Sequence, residues 1–341
     1  MTGSGVAAIR ALPKIELHLH LETSLRLRRL AERRAATEPS PAPLIADPAR
    51  FAGYDRLRRM RYALRAGRVP DALYTADNIE TITYELLCEA AAHGSRYVEV
   101  RVGGRRAFEL LGMRRMLEAM ARARTRAEVA VGIRSGIIVT MVRERGPEEA
   151  ERRVREALDC RPCGVVGVDL AGDEANYPPG LFSRPLALAR EGGLGITVHA
   201  GEFAGPSSIW TAIYQLGARR IGHGIRAVED RRLLDYLRDQ RITLEICPTS
   251  NVRLGLVRSL AAHPLRRLVD AGVPVTINSD DPMLLGTDIS QELTLVAQAL
   301  ALRDGALADF MAAAARAAFL PEEERRRLEG LVASPARRSP G

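Results

Sequence analysis

The chain is poor in the residues that most often advertise a binding surface. Lys14 is the only lysine among 50 basic side chains, there is one tryptophan, and aromatic residues make up 4% of 341. So few rings leave little on which nucleobases could stack, and the net charge of +8 is spread through helices that interleave both signs. Nucleic acid is therefore not the expected partner. The four cysteines, Cys88, Cys160, Cys163 and Cys247, are too few for a disulfide framework and fit a reducing compartment. Cys160-Arg161-Pro162-Cys163 has redox or zinc spacing but lacks a second pair, and reads as two ordinary thiols in a loop. No window approaches the roughly 18 apolar residues of a membrane span. Residues 1–12 carry one arginine and too few large apolar side chains for a signal peptide, so a cytoplasmic protein away from membranes is expected.

Histidine is scarce too, and its placement is informative. Ile15-Glu16-Leu17-His18-Leu19-His20-Leu21 alternates as a β-strand, which turns His18 and His20 toward one side. Two imidazoles converging from one strand make half of a zinc site; the alternative is a pair satisfied by backbone carbonyls. Of the six histidines, His18, His20, His199 and His223 stand where an apolar run breaks into Gly, Glu or Thr. His93 and His263 lie in helix-like surroundings and read as structural or exposed.

From residue 95 onward strand and helix patterns alternate. Strands are expected near residues 97–102, 132–141, 165–170, 195–199, 220–223, 243–247 and 273–278, with helices near 107–127, 147–158, 185–191, 207–216, 230–238 and 264–271. With the first strand this makes eight β-then-α units, the pattern of a TIM (β/α)8 barrel in a single domain spanning residues 1–341. A helix over 25–35, a proline-rich break at 37–43 and helices to 93 form an insertion after strand one; 37–93 is expected to be a helical lid. Helices over 289–302 and within 306–333 follow, and 334–341 reads as a flexible tail.

Barrels of this kind carry their chemistry at the C-terminal ends of the strands. His18, His20, His199, Glu202, His223, Asp280 and Asp281 all fall there. Three His and one Asp give N3O ligation that suits a single zinc and tolerates iron, cobalt or manganese; a zinc with an open position lowers its water toward a pKa of about 7. Lys14 precedes the first strand and cannot, as a carboxylated lysine, bridge a second metal. Glu202 follows Gly201, which permits a sharp turn into the site, and is placed for proton transfer. His223 lies between two glycines with room beside the water, and Asp281, diverging from Asp280, is placed to bond a ligand.

Six stretches in order carry a resemblance: Leu12-Pro13-Lys14-Ile15-Glu16-Leu17-His18-Leu19-His20-Leu21-Glu22, Asp169-Leu170-Ala171-Gly172-Asp173-Glu174, His199-Ala200-Gly201-Glu202, Ile221-Gly222-His223-Gly224-Ile225, Cys247-Pro248-Thr249-Ser250-Asn251 and Asn278-Ser279-Asp280-Asp281-Pro282. From about residue 11 to 333 the chain resembles the adenosine deaminase family of the amidohydrolase superfamily. The resemblance implies hydrolytic removal of the 6-amino group of a purine nucleoside, adenosine or a close analogue, giving a 6-oxopurine and ammonia. It implies one zinc per chain on His18, His20, His199 and Asp280, with Glu202, His223 and Asp280 catalytic. Glu202 would protonate purine N1, His223 would orient or deprotonate the water, Gly172 would meet N3 through its backbone, and Asp281 would meet N7; His20 and Glu22 would also touch substrate. A homo-oligomer is compatible with it.

The departures lie where a sugar would sit. Glu22-Thr23 stands where nucleoside-acting members have Asp-Gly, and glutamate there is also common in members that deaminate free adenine or modified nucleosides. Strand two ends in Arg101-Val102-Gly103-Gly104-Arg105-Arg106, and the expected lid carries Arg56, Arg58, Arg59 and Arg61. These arginines are a solvated face or an entrance for an anionic 5′ group. Adenine, or a 5′-modified adenosine such as aminodeoxyfutalosine, is thus the alternative substrate; a hydrolase of another C–N bond or a silent relative is a remoter one.

Overall fold

A computed structural model describes residues 9–35, 69–300 and 305–333. Eight parallel strands follow one another around a nearly closed barrel in the order β1 to β8. They are β1 Lys14–His20, β2 Ser95–Val102, β3 Arg134–Val142, β4 Val165–Ala171, β5 Gly195–Ala200, β6 Arg220–His223, β7 Thr243–Ile246 and β8 Val275–Ile277. Most strand residues are buried, as expected where helices cover the outside of a parallel sheet. The expected (β/α)8 architecture is the one observed.

The circle closes at the site itself. His20 N–H donates to Asp280 O (2.8 Å), and Asp280 N–H donates to His18 O (3.1 Å), so the chain just past β8 bridges β1. Asn278 accepts Leu17 N–H and His18 N–H on Oδ1 at 2.9 and 3.2 Å, satisfying β1 amides inside a buried seam.

One helix expected to be continuous is broken. Gly112, at φ 75° and ψ 147°, divides residues 105–131 into Arg105–Leu111 and Met113–Val131, because backbone with positive φ and extended ψ, open to glycine, cannot continue a right-handed helix. At the C-terminal end, Ala306–Ala317 and Glu322–Ala333 are separated just before Pro321, which disfavours helical backbone in the residue preceding it. In the insertion, Ala76–Ala92 is a helix, capped by Thr75 accepting Asn78 N–H. Residues 36–68, which hold most of the expected lid with Arg56, Arg58, Arg59 and Arg61, lie outside the described residues, as does the tail 334–341. No described helix is long and apolar enough to cross a membrane.

Candidate active site

Strand ends from across the barrel deliver the histidines to one point. Ring centroids of His18 lie 5.2 Å from His20, 4.6 Å from His199 and 5.0 Å from His223. One ligating nitrogen from each of His18, His20 and His199 falls within 4.8 Å of the others. Asp280 Oδ1 stands 3.4 Å from His18 Nε2 and 3.3 Å from His20 Nε2. A Cβ at Gly222 would come within 3.2 Å of His199 Cα and Nδ1 and press on the rings, so glycine lets them sit this close without displacement.

The imidazoles are oriented from behind by carboxylates. His18 Nδ1–H donates to Glu245 Oε2 (3.1 Å) and His199 Nδ1–H donates to Asp169 Oδ1 (2.9 Å), leaving both Nε2 lone pairs aimed at the centre. Buried His18 Nε2 makes no well-aligned hydrogen bond, although Asp280 Oδ1 faces it at 3.4 Å. An orphaned imidazole nitrogen facing two more imidazoles and a carboxylate is the donor set of a divalent ion. Burial depresses the pKa of His20 and His199, which keeps them neutral, as ligation requires. Burial opposes charge on Asp280 as well, but His18 close by and the other neighbouring imidazoles outweigh it and hold the carboxylate well below its usual range. Cys247 lies near His18, His223 and Asp280, but burial pushes its thiol well above the ordinary range and its Sγ donates to Glu245 O (3.6 Å). It is a poor competitor for a ligand place.

Arg101 ties the two orienting carboxylates together, pairing with Asp169 Oδ2 at 3.1 Å and with Glu245 Oε2. Arg220 Nε adds a 2.7 Å contact to Glu245 Oε1. Burial alone would raise Glu245; the two guanidiniums outweigh it and keep the carboxylate ionised. Arg101 is fully buried under the centre and is no part of an entrance, whereas Arg105 and Arg106 are exposed and paired with Glu109 and Asp71.

On the open side, Glu202 Oε1 is 3.6 Å and Asp280 Oδ2 is 3.9 Å from His223 Nε2. Gly201, at φ 68°, makes the turn that brings Glu202 inward to a nearly buried position. Glu174 anchors that turn: its carboxylate accepts the N–H groups of Gly201 (2.6 Å), Glu202 (3.1 Å), Phe203 (2.8 Å) and Ala204 (3.0 Å). Arg143 fixes the same stretch by donating Nη2–H to His199 O at 2.7 Å.

Of the four non-glycine residues with positive φ among the described residues, three are here: Glu22 (50°), His223 (60°) and Asp280 (63°). Such backbone costs about 1–3 kcal/mol per residue and persists where packing over-determines it. The left-handed residue at the Glu22-Thr23 departure is therefore Glu22, while Thr23 begins the helix Thr23–Arg34. Glu22 accepts Met283 N–H (3.0 Å) and Leu284 N–H (2.7 Å). Burial, aided by the neighbouring Asp281 carboxylate, pushes it up to about 8. Gly172 stands at φ 119° at the end of β4, on the same rim.

A family model described as adenosine deaminase matches residues 13–335 of the chain. The chain belongs to the adenosine deaminase family. An adenosine deaminase of Escherichia coli K12 is 39% identical over 264 residues, covering 77% of this chain and 79% of the relative. Among solved structures, adenine deaminase from Arthrobacter aurescens superposes with a TM-score of 0.84 at 27% identity, over 96% of this chain and 99% of its own. An amidohydrolase from Burkholderia ambifaria with bound zinc gives a TM-score of 0.85 at 26% identity, over 98% and 93%. As a member of this metal-dependent family the chain is a hydrolase of C–N bonds that deaminates adenine-type substrates.

Sequence reasoning picked out the inner residues and passed over those behind them. Asp169, Glu174, Glu245 and Asn251 went without a role. The available signal was a lone carboxylate inside an apolar strand, as in Val168-Asp169-Leu170 and Leu244-Glu245-Ile246, since such groups are seldom buried unless paired.

Proposed function

We propose that the protein hydrolyses the 6-amino group of adenosine or a close analogue with one zinc per chain, and that it works in the cytoplasm. The observation that carries this is the convergence of His18, His20, His199 and Asp280, with Glu202 and His223 facing them across the mouth. His18, His20, His199 and Asp280 would hold the ion, which when bound supplies a Lewis acid that brings a water toward a pKa of about 7. Glu202 hands a proton to purine N1, which makes C6 electrophilic. Asp281 bonds the N7 edge, the Gly172 backbone meets N3, and His20 and Glu22 border the substrate. Ammonia leaves as water adds, and the 6-oxopurine remains.

Adenosine is favoured by the 39% identity to the E. coli adenosine deaminase. One observation favours free adenine as a second reading: Glu22 already accepts two backbone N–H bonds, so it has less capacity left for a ribose hydroxyl. The likeness to the Arthrobacter adenine deaminase points the same way. An ultraviolet assay of adenosine, deoxyadenosine, adenine and 5′-modified adenosines separates them. The expected result is highest kcat/KM on adenosine or a 5′-modified adenosine. A preference for adenine would move the assignment to the second reading, and no turnover of any 6-aminopurine would end both.

A further inference from the structure

We propose that His263 and Asn251 form a positioning relay that fixes the tautomer of His223, keeping its proton on Nε2, the nitrogen that faces Glu202 and Asp280. The relay rests on the reading of His223 as a catalytic residue, and it begins at a donor whose polarity cannot be reversed. Leu265 N–H donates to His263 Nδ1 at 3.0 Å. A backbone amide only donates, so Nδ1 must be the acceptor and the proton of the neutral ring must sit on Nε2. Pro264 has no N–H, so the Leu265 amide is the first donor the turn offers.

His263 Nε2–H then donates to Asn251 Oδ1 (3.2 Å), which sets the carboxamide orientation that electron density alone seldom decides. With its oxygen committed, Asn251 turns Nδ2–H toward His223 Nδ1 at 3.1 Å. His223 Nδ1 is therefore a lone pair, and the neutral ring carries its hydrogen on Nε2. That nitrogen faces two acceptors, Glu202 Oε1 and Asp280 Oδ2. Each link is consistent with the next, from a backbone amide to the mouth of the site.

The relay is also rigid. Leu265, Asn251, His223 and His263 are all buried, and the Asn251 carbonyl accepts Leu256 N–H and Val257 N–H at 3.0 and 3.1 Å. Burial drives the pKa of His263 down to about 4, so the ring stays neutral and its tautomer stays readable near neutral pH. A consequence follows for the chemistry. A neutral imidazole protonated on Nε2 can donate into the site but cannot take a proton there, so His223 orients the attacking water and the water's proton goes to a carboxylate.

The test is a long-range ¹H–¹⁵N correlation spectrum of the histidine rings in the zinc-loaded full chain, where only six rings contribute. The expected result is a His223 ring with a protonated Nε2 and a pyridine-type Nδ1. Asn251→Asp sets an acceptor against Nδ1 and should draw the proton onto it. In that variant kcat should fall on the order of 10²- to 10⁴-fold with KM changed less than about threefold, the range for misplacing a proton-transfer group. His263→Gln can accept from Leu265 and donate to Asn251, and should keep the His223 pattern with kcat within about tenfold of wild type. His263→Leu should lose both. A wild-type His223 protonated on Nδ1 overturns the relay, and so does an Asn251→Asp variant with unchanged kcat. Should Asn251→Asp fail to fold, the wild-type spectrum decides. An Nε2-protonated His223 in a chain that deaminates no 6-aminopurine would leave the relay standing and remove the proposed function.

Discussion

Glu174→Gln tests how the acid Glu202 is held. The wild-type carboxylate gathers four consecutive N–H groups, Gly201 on Oε1 and Glu202, Phe203 and Ala204 on Oε2, at 2.6–3.1 Å. An amide of the same shape keeps the larger set by placing its oxygen at the Oε2 position. Its NH2 then opposes the Gly201 N–H, donor against donor. Hydrogen bonds to a charged group contribute about 1.5–3 kcal/mol, and an unsatisfied buried N–H costs about 1–3 kcal/mol. Losing one such bond and weakening three gives a penalty of about 3–5 kcal/mol, limited by the cost of releasing the loop alone. Turnover should fall further than stability suggests, because displacing a catalytic group by about 1 Å can cost on the order of 10²-fold. Metal content should not change, since His199 precedes the clamp and is held by the sheet and by Arg143. Urea unfolding with kcat on the same samples checks this. An unchanged midpoint with unchanged kcat would refute the clamp.

Two further outcomes are expected. Glu202→Gln should retain zinc and lose roughly 10²–10⁴ in kcat, because an amide cannot give its proton to N1; normal turnover would rule out the donor role. The His263 pKa, lowered from 6.5 to about 4, means the unfolded chain takes up a proton before the folded one does. Its contribution is therefore complete above pH 6.5 and is lost as pH falls toward 4, by up to about 3 kcal/mol at roughly 1.4 kcal/mol per pH unit. Unfolding free energies of wild type and His263→Gln should diverge over that window, and parallel slopes would contradict the assignment.

The sequence made the architecture legible because its strands are short apolar runs spaced by amphipathic helices, and because chemistry-bearing residues fell at strand ends. One helix interruption was less legible: Gly112 sits inside a continuous apolar period, and only its positive-φ conformation shows that the helix stops there. The inner shell of the site was readable as histidines next to Gly, Glu or Asp. Arg101 was misread as part of a basic rim, because a strand's sequence alternation does not say which side faces the barrel interior; the pairing with Asp169 and Glu245 does. Likewise His263 looked like a helix-flanking residue. Its contact with Asn251 depends on how the loop after β7 folds back, which no local pattern encodes.

The central claim is tested most directly by titrating metal-free protein with zinc while following deamination of adenosine and adenine. Activity should rise in proportion to zinc and level off at one equivalent per chain, and Asp280→Ala should need a large excess to reach its own, lower plateau. Turnover that is indifferent to zinc, or a fully loaded chain that deaminates neither compound, would contradict the account.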